Sequence, residues 1–235
     1  TAQTGFEIVN TMGKLMHDHG PGGQILYPFV NDNWQPIAGE ETRLLNLIAE
    51  IDTRSDHRLA LSIHLGGMLV IAGNDAGLAA FETATRGDDS RTPLRLPNHA
   101  AFHTSLMEPV AEMGRSALPQ NLFADPHTAL IDGRGAVWHP ASTDLTALRD
   151  YTLGHQISRT YNFTAAIRSA ARNFAPDRFI VTGPGTTLGG AVAQALISIK
   201  WQGIDSKETF LKRQSENPLI VSMGRADQRG LVVAA

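Results

Sequence analysis

The chain has 235 residues, of which 42% are apolar and 18% charged. That is the composition of a folded globular protein and excludes wholesale disorder; at roughly 150 residues per domain there is room for one large domain or two small ones. Twenty Lys and Arg against 23 Asp and Glu leave a net charge of −3, so no basic excess exists to neutralise a phosphate backbone, and nucleic acid is not an expected partner. Cysteine is absent, which removes disulfides, thiolate metal sites and a cysteine nucleophile together and suits a reducing, cytoplasmic setting. Residues 1–4 start no signal peptide. The longest apolar-leaning stretch, 59–73, is broken by His64 and Gly66-Gly67, too short to span a bilayer, so no membrane association is expected. The sequence opens on Thr1 rather than Met and is expected to be a piece of a longer chain.

Phe6, Ile8, Val9, Met12, Leu15 and Met16 recur at helical spacing until Gly20-Pro21, predicting an amphipathic helix within residues 1–21. The next block, 22–96, reads strand, helix, strand, strand, helix, strand. Residues 24–30 are rich in Ile, Leu, Tyr, Phe and Val, a strand signature. Residues 40–51 carry leucines and isoleucines at helical spacing. Strands at 59–65 and 68–72 flank Gly66-Gly67, a tight hairpin signal. Asp75 is expected to cap a helix reaching residue 84. Residues 86–91 read as a solvated loop, and 92–96 as a last strand. The order βαββαβ is the ferredoxin-like arrangement.

Residues 97–235 form the third block. Helices are predicted at 106–118, 145–157, 163–174 and 188–199. A short strand at 128–131 runs into the turn cluster Asp132-Gly133-Arg134-Gly135. The continuous apolar strand 178–182 predicts cover on both faces. It leads through Gly183-Pro184-Gly185 into the last helix, which is α/β grammar. Two strands are too few for those helices to lie on, so the block is expected to need another segment, or another copy of the chain, against its exposed face.

Few residues signal chemistry. In "NHAAFHTSLMEPV", His103 just before a helix suits a general base held through its second nitrogen by a carbonyl, and equally a histidine that caps or packs. In "VTGPGTTLGGAVAQAL", glycines between strand and helix suit either an anion cradle or a tight turn. The spacing is neither the dinucleotide fingerprint nor a P-loop. His99 and His103 are four apart, a spacing that can hold zinc, but no H-E-x-x-H surrounds them and no third ligand is marked; no metal is expected. No G-x-S-x-G nucleophile elbow is present, and Ser62, Ser105, Ser116 and Ser222 lack its small flanking residues.

These segments together resemble the C-terminal part of the malonyl-CoA:acyl-carrier-protein transacylases and related acyltransferase domains, over residues 5–200. "FEIVNTMGKLMHD" looks like the helix following that family's nucleophile elbow, and "GGMLVIAGN" like its ferredoxin-like hairpin. "AAFHTSLMEPV" is similar to its catalytic-histidine segment, "GHQISRTYNF" to the segment that orients the histidine, and "VTGPGTTLGG" to its glycine turn. The resemblance implies a helix of a large acyltransferase subdomain at 1–21, a ferredoxin-like small subdomain at 22–96, and the C-terminal half of the α/β-hydrolase-like large subdomain at 97–235. It makes His103 the general base and acid and Gln156 the residue whose main-chain carbonyl holds its ring. His64 stands where the family usually has an Asn near the acyl group. Met12 stands where malonyl-specific members have an Arg that pairs with the malonyl carboxylate, a bidentate contact Met cannot make. The implied activity is transfer of a malonyl or other short acyl group from coenzyme A to the phosphopantetheine thiol of acyl carrier protein, through an acyl-Ser ester. Acyl-CoA is then a substrate, no cofactor is held permanently, and acyl carrier protein is the partner, in fatty acid or polyketide synthesis. The family's Ser-bearing portion has no counterpart in these residues. The rival readings are a non-catalytic acyl-CoA or carrier-protein binding module and, more remotely, a histidine-zinc hydrolase.

Overall fold

The computed structural model describes residues 2–87 and 91–232. Helix α1 (Ala2–His19) is followed by a four-stranded antiparallel sheet of β1 (Gly23–Pro28), β2 (Leu59–Leu65), β3 (Met68–Gly73) and β4 (Leu94–Leu96), in the order β2-β3-β1-β4. Helices α2 (Glu40–Asp52) and α3 (Asp75–Ala84) connect the strands. Alternate residues of β1, Ile25 and Tyr27, point into one core with Leu44, Ile51, Leu69 and Phe81. Tyr27 and Phe81 meet edge to face, with ring centroids 5.7 Å apart, the arrangement aromatic quadrupoles favour. This is the expected ferredoxin-like sheet. Helix α3 is capped not by Asp75 but by Asn74, whose side chain accepts from the Gly77 N–H at 2.9 Å. Asp75 stands one residue inside. The loop expected at 86–91 lies partly outside the described residues.

The β2–β3 hairpin tip is locked onto the remainder of the molecule. Gly66 has φ +64°, and a Cβ there would fall 2.6 Å from the Ala191 carbonyl oxygen, so the turn needs glycine for both reasons. The Gly66 N–H donates to Thr164 Oγ1 and the Gly67 N–H to Gln194 Oε1, at 2.8 and 2.9 Å. Thr164 and Gln194 are both buried, so each satisfies a turn amide that water cannot reach.

Beyond the sheet come α4 (Glu108–Ala117), the two-residue hairpin strands β5 (Leu130–Ile131) and β6 (Val137–Trp138), α5 (Leu145–Asp150), α6 (Gln156–Ser158) and α7 (Phe163–Phe174). They are followed by β7 (Phe179–Val181), α8 (Leu188–Ile197), α9 (Lys207–Glu216), β8 (Ile220–Ser222) and α10 (Ala226–Arg229). Helix α1 packs on α4 through Met12, Val110 and Ala111. Strands β7 and β8 pair in parallel against α8.

Several expectations for this block are corrected. The helix expected at 106–118 begins with a 3₁₀ turn, Ser105–Met107, before α4 starts at Glu108 with Pro109 in its first turn. The helix expected at 145–157 is broken by a π-helical turn, Tyr151–His155. Strand β7 is shorter than predicted and is not covered on both faces, since Ile180 is 49% exposed. Strands β6 and β8 and helix α9 had no sequence signal strong enough to place them. Each is short, or polar apart from a single buried anchor such as Phe210.

Candidate active site

His103 lies in the loop between β4 and the 3₁₀ turn, in the left-handed region with φ +58°. That conformation is uncommon for a residue with a Cβ and calls for support from its surroundings. The support comes from the C-terminal turn of α6. The last carbonyls of a helix have no intrahelical partner, and here they face the loop. The His103 backbone N–H donates to the Ile157 carbonyl at 3.0 Å. The His103 ring Nδ1 sits 2.6 Å from the Gln156 carbonyl oxygen. The π-helical turn immediately before α6 shifts the helix register, a distortion often found where a backbone group is needed for function.

The chemistry follows from that contact. A carbonyl oxygen can only accept, so Nδ1 carries the hydrogen and the neutral ring keeps its lone pair on Nε2. No described residue hydrogen-bonds Nε2. Burial holds the histidine below its ordinary value of 6.5, while the Gln156 carbonyl opposes that shift by favouring the protonated ring. A half-buried histidine with a fixed tautomer, one free nitrogen and a depressed pKa is equipped to take a proton near neutral pH.

Tyr161 forms one wall, its ring centroid 5.4 Å from that of His103. Residue 161 extends the edge of the sheet, exchanging backbone hydrogen bonds with Ser62 and His64 at 2.9 and 3.0 Å. A hollow of about 150 Å³ opens beside Gln156 and Tyr161, lined also by Asp132, Trp138 and Tyr151. Its rim is stiff. The buried Asp132 carboxylate accepts from the backbone N–H groups of Arg134 and Ala136, from Trp138 Nε1 and from the Arg134 guanidinium. Burial alone would raise the Asp132 pKa, but those donors hold it below the ordinary carboxylate value. Tyr151 accepts from the Gly133 N–H at 2.6 Å, and burial pushes its phenol up to about 12.

The four residues singled out by sequence do not share one pocket. His103 and Gln156 are in direct contact. Met12 is 6% exposed and packed between α1 and α4, with its sulfur against Gly114. His64 has both ring nitrogens engaged, Nδ1 with Thr164 Oγ1 and Nε2 with Glu41 Oε1, each at 2.8 Å. His99 and His103, despite their spacing, lie on a loop rather than on one helix face, and among the described residues no three His, Asp or Glu side chains converge as metal ligands would. Sequence reasoning gave Gln24 no role and weighed Ser62 only as a nucleophile; both lie behind the His103 loop. The signal was a polar residue inside an apolar strand, in "GQILYP" and "LALSIHL".

No family model matches the chain. Over 176 residues it is 27% identical to a highly reducing polyketide synthase from Emericella nidulans, covering 71% of this chain and 7% of that protein. Over 230 residues it is 24% identical to a component of the phenolphthiocerol/phthiocerol polyketide synthase of Mycobacterium tuberculosis, covering 91% of this chain and 14% of that one. Among solved structures, FabD from Acinetobacter baumannii superposes with a TM-score of 0.71 at 19% identity, over 96% of this chain and 62% of its own. A malonyl-transacylase in complex with its type II polyketide synthase acyl carrier protein superposes with a TM-score of 0.64 at 17% identity, over 81% of this chain and 58% of its own. The chain therefore spans a small part of the curated relatives and less than two thirds of the solved ones. Among the described residues no helix is long and apolar enough to cross a membrane. The chain has the fold of the malonyl-CoA:acyl-carrier-protein transacylases and is related in sequence to parts of polyketide synthases.

Proposed function

We propose that these residues form the histidine-bearing part of an acyltransferase that loads a short acyl group from coenzyme A onto the phosphopantetheine thiol of an acyl carrier protein. The observation that carries this reading is His103, with its Nδ1–H on the Gln156 carbonyl and its Nε2 free. The transacylase fold and the polyketide synthase relatives support it.

In the proposed cycle a serine hydroxyl, supplied from outside these residues, attacks the acyl-CoA carbonyl. His103 Nε2 takes the hydroxyl proton, the acyl–sulfur bond breaks, and the imidazolium returns the proton to the leaving thiolate. The carrier thiol then attacks the acyl-Ser ester, giving its proton to Nε2, and the serine leaves as its alcohol once His103 protonates it. Each step needs one nitrogen that can accept and then donate, and a ring that does not turn between steps. The Gln156 contact supplies the second requirement. Coenzyme A thioester enters as substrate, and the cycle uses no permanent cofactor.

The acyl group is proposed to be short and not selected by a carboxylate. Met12 brings no charge, and His64 is committed to Thr164 and Glu41.

The test is loading of holo acyl carrier protein by the full-length protein, followed by intact mass. A mass increase equal to the acyl group, abolished in His103→Ala, supports the enzyme. Binding of acyl-CoA or carrier protein with no transfer at any ratio would replace it with the binding-module reading.

A further inference from the structure

We propose that Ser62 and Gln24 are positioning residues, holding His103 in its left-handed conformation by clamping the peptide group that precedes it. The inference rests on His103 acting as the acid and base proposed above.

The peptide group joining residues 102 and 103 is held at both ends. Its N–H, that of His103, donates to the Ile157 carbonyl. Its C=O, that of Phe102, accepts from Ser62 Oγ at 2.7 Å. The φ angle of His103 is the rotation immediately after this peptide group, and it stands at +58°. A fixed peptide plane fixes where that rotation starts, so the ring reaches Gln156 with little freedom left. A strained conformation persists only where its surroundings over-determine it.

The Ser62 hydroxyl is itself fixed. Gln24 Nε2 donates to Ser62 Oγ at 2.7 Å, which leaves the hydroxyl hydrogen for Phe102. Gln24 Oε1 lies 2.6 Å from His99 Nδ1; an amide oxygen only accepts, so that nitrogen donates. The result is a one-way chain of donors from His99 through Gln24 and Ser62 to the Phe102 carbonyl. Ser62 and Gln24 are both buried, so each lost partner would leave a polar group that water does not satisfy.

The strand geometry also serves this contact. The β2–β3 register breaks at Ser62, where Leu61 pairs with Ile71 and Ile63 with Val70. A bulge of this kind re-aims one side chain out of the regular alternation. Here it turns a hydroxyl from a mostly apolar strand toward the His103 loop. An unbroken apolar strand would pair at least as well with β3, so the bulged serine is accounted for by what it touches.

In the full-length protein, Ser62→Ala is expected to lower kcat for acyl transfer roughly 10- to 100-fold with KM for acyl-CoA little changed, the pattern of a misplaced catalytic group. Gln24→Glu keeps the shape and removes the Nε2 donor, and should give the same split. In a His103→Ala background neither substitution should lower the rate further. Imidazole nitrogen resonances of uniformly ¹⁵N-labelled protein read the clamp without any assay of activity. Both His103 signals should move in Ser62→Ala and Gln24→Glu while the far-ultraviolet circular dichroism stays the same. His103 signals at their unmodified positions in both variants would overturn the proposal, as would shifted signals with an unchanged kcat. If His103→Ala itself leaves transfer intact, the functional reading fails, and the resonances still report separately on the clamp.

Discussion

His103 Nδ1 and the main-chain carbonyl of Gln156 lie 2.6 Å apart, although 53 residues separate them in the chain. One contact sets both the tautomer and the direction of the ring. The partner is a carbonyl oxygen, so the identity of the Gln156 side chain has little part in it.

That asymmetry gives the first prediction. His103→Ala in the full-length protein should cut acyl transfer by roughly 10²–10⁴-fold, the usual worth of a positioned general base. Gln156→Ala should cost far less, because the main-chain oxygen remains. Steady-state rates for the two variants, measured side by side, check this. A large loss in Gln156→Ala would show that its side chain does the holding.

The second prediction concerns pH. Burial holds His103 below 6.5, with the Gln156 carbonyl opposing the shift. In the proposed cycle the neutral ring is the base, so kcat/KM should be flat at neutral pH and fall on the acid side with a midpoint below 6.5. The same shift affects stability. Between the folded value and the unfolded value of about 6.5 the unfolded chain binds more protons, so the His103 contribution is complete above 6.5 and is lost as pH falls through the folded value. Thermal melts across pH 5 to 7, compared with His103→Gln, isolate it. An acid limb centred above 6.5 would refute the assignment.

Acyl selectivity is the third. Neither Met12 nor His64 offers a free cation, so acetyl-CoA should compete well with malonyl-CoA in acylation of the full-length protein. His64→Ala should leave the ratio unchanged. A malonyl preference above about 100-fold, or about 2.7 kcal/mol, would mean that another cation meets the carboxylate.

The fourth prediction is about surface. Phe6 and Val9 on α1 are each 71% exposed, and Ile180 and Leu188 remain partly open around β7. Phe6 and Val9, three residues apart on α1, share one helix face, and an exposed apolar face of that kind favours association. Residues 1–235 expressed alone are expected to self-associate, with a light-scattering mass above 25.3 kDa. A monomer with a cooperative melt would defeat this.

What the sequence by itself determined was local. The apolar period of residues 2–19, the alternation of β1 and the Gly66-Gly67 turn placed the helix and the small sheet, because hydrophobic spacing and glycine freedom act within a few residues. The His103 segment was legible through its resemblance to a catalytic one. Tertiary structure alone decided the rest. The free carbonyls of α6 become partners of His103 only when a helix 53 residues away in sequence is brought against its loop. Gln24 and Ser62 read as polar interruptions of apolar strands until the bulge and the long-range hydrogen bonds gave them a target. His64, at the position where the family usually has an Asn near the acyl group, has both ring nitrogens taken by Thr164 and Glu41. A polar side chain takes its role from its partners, and partners distant in sequence leave no periodicity to read.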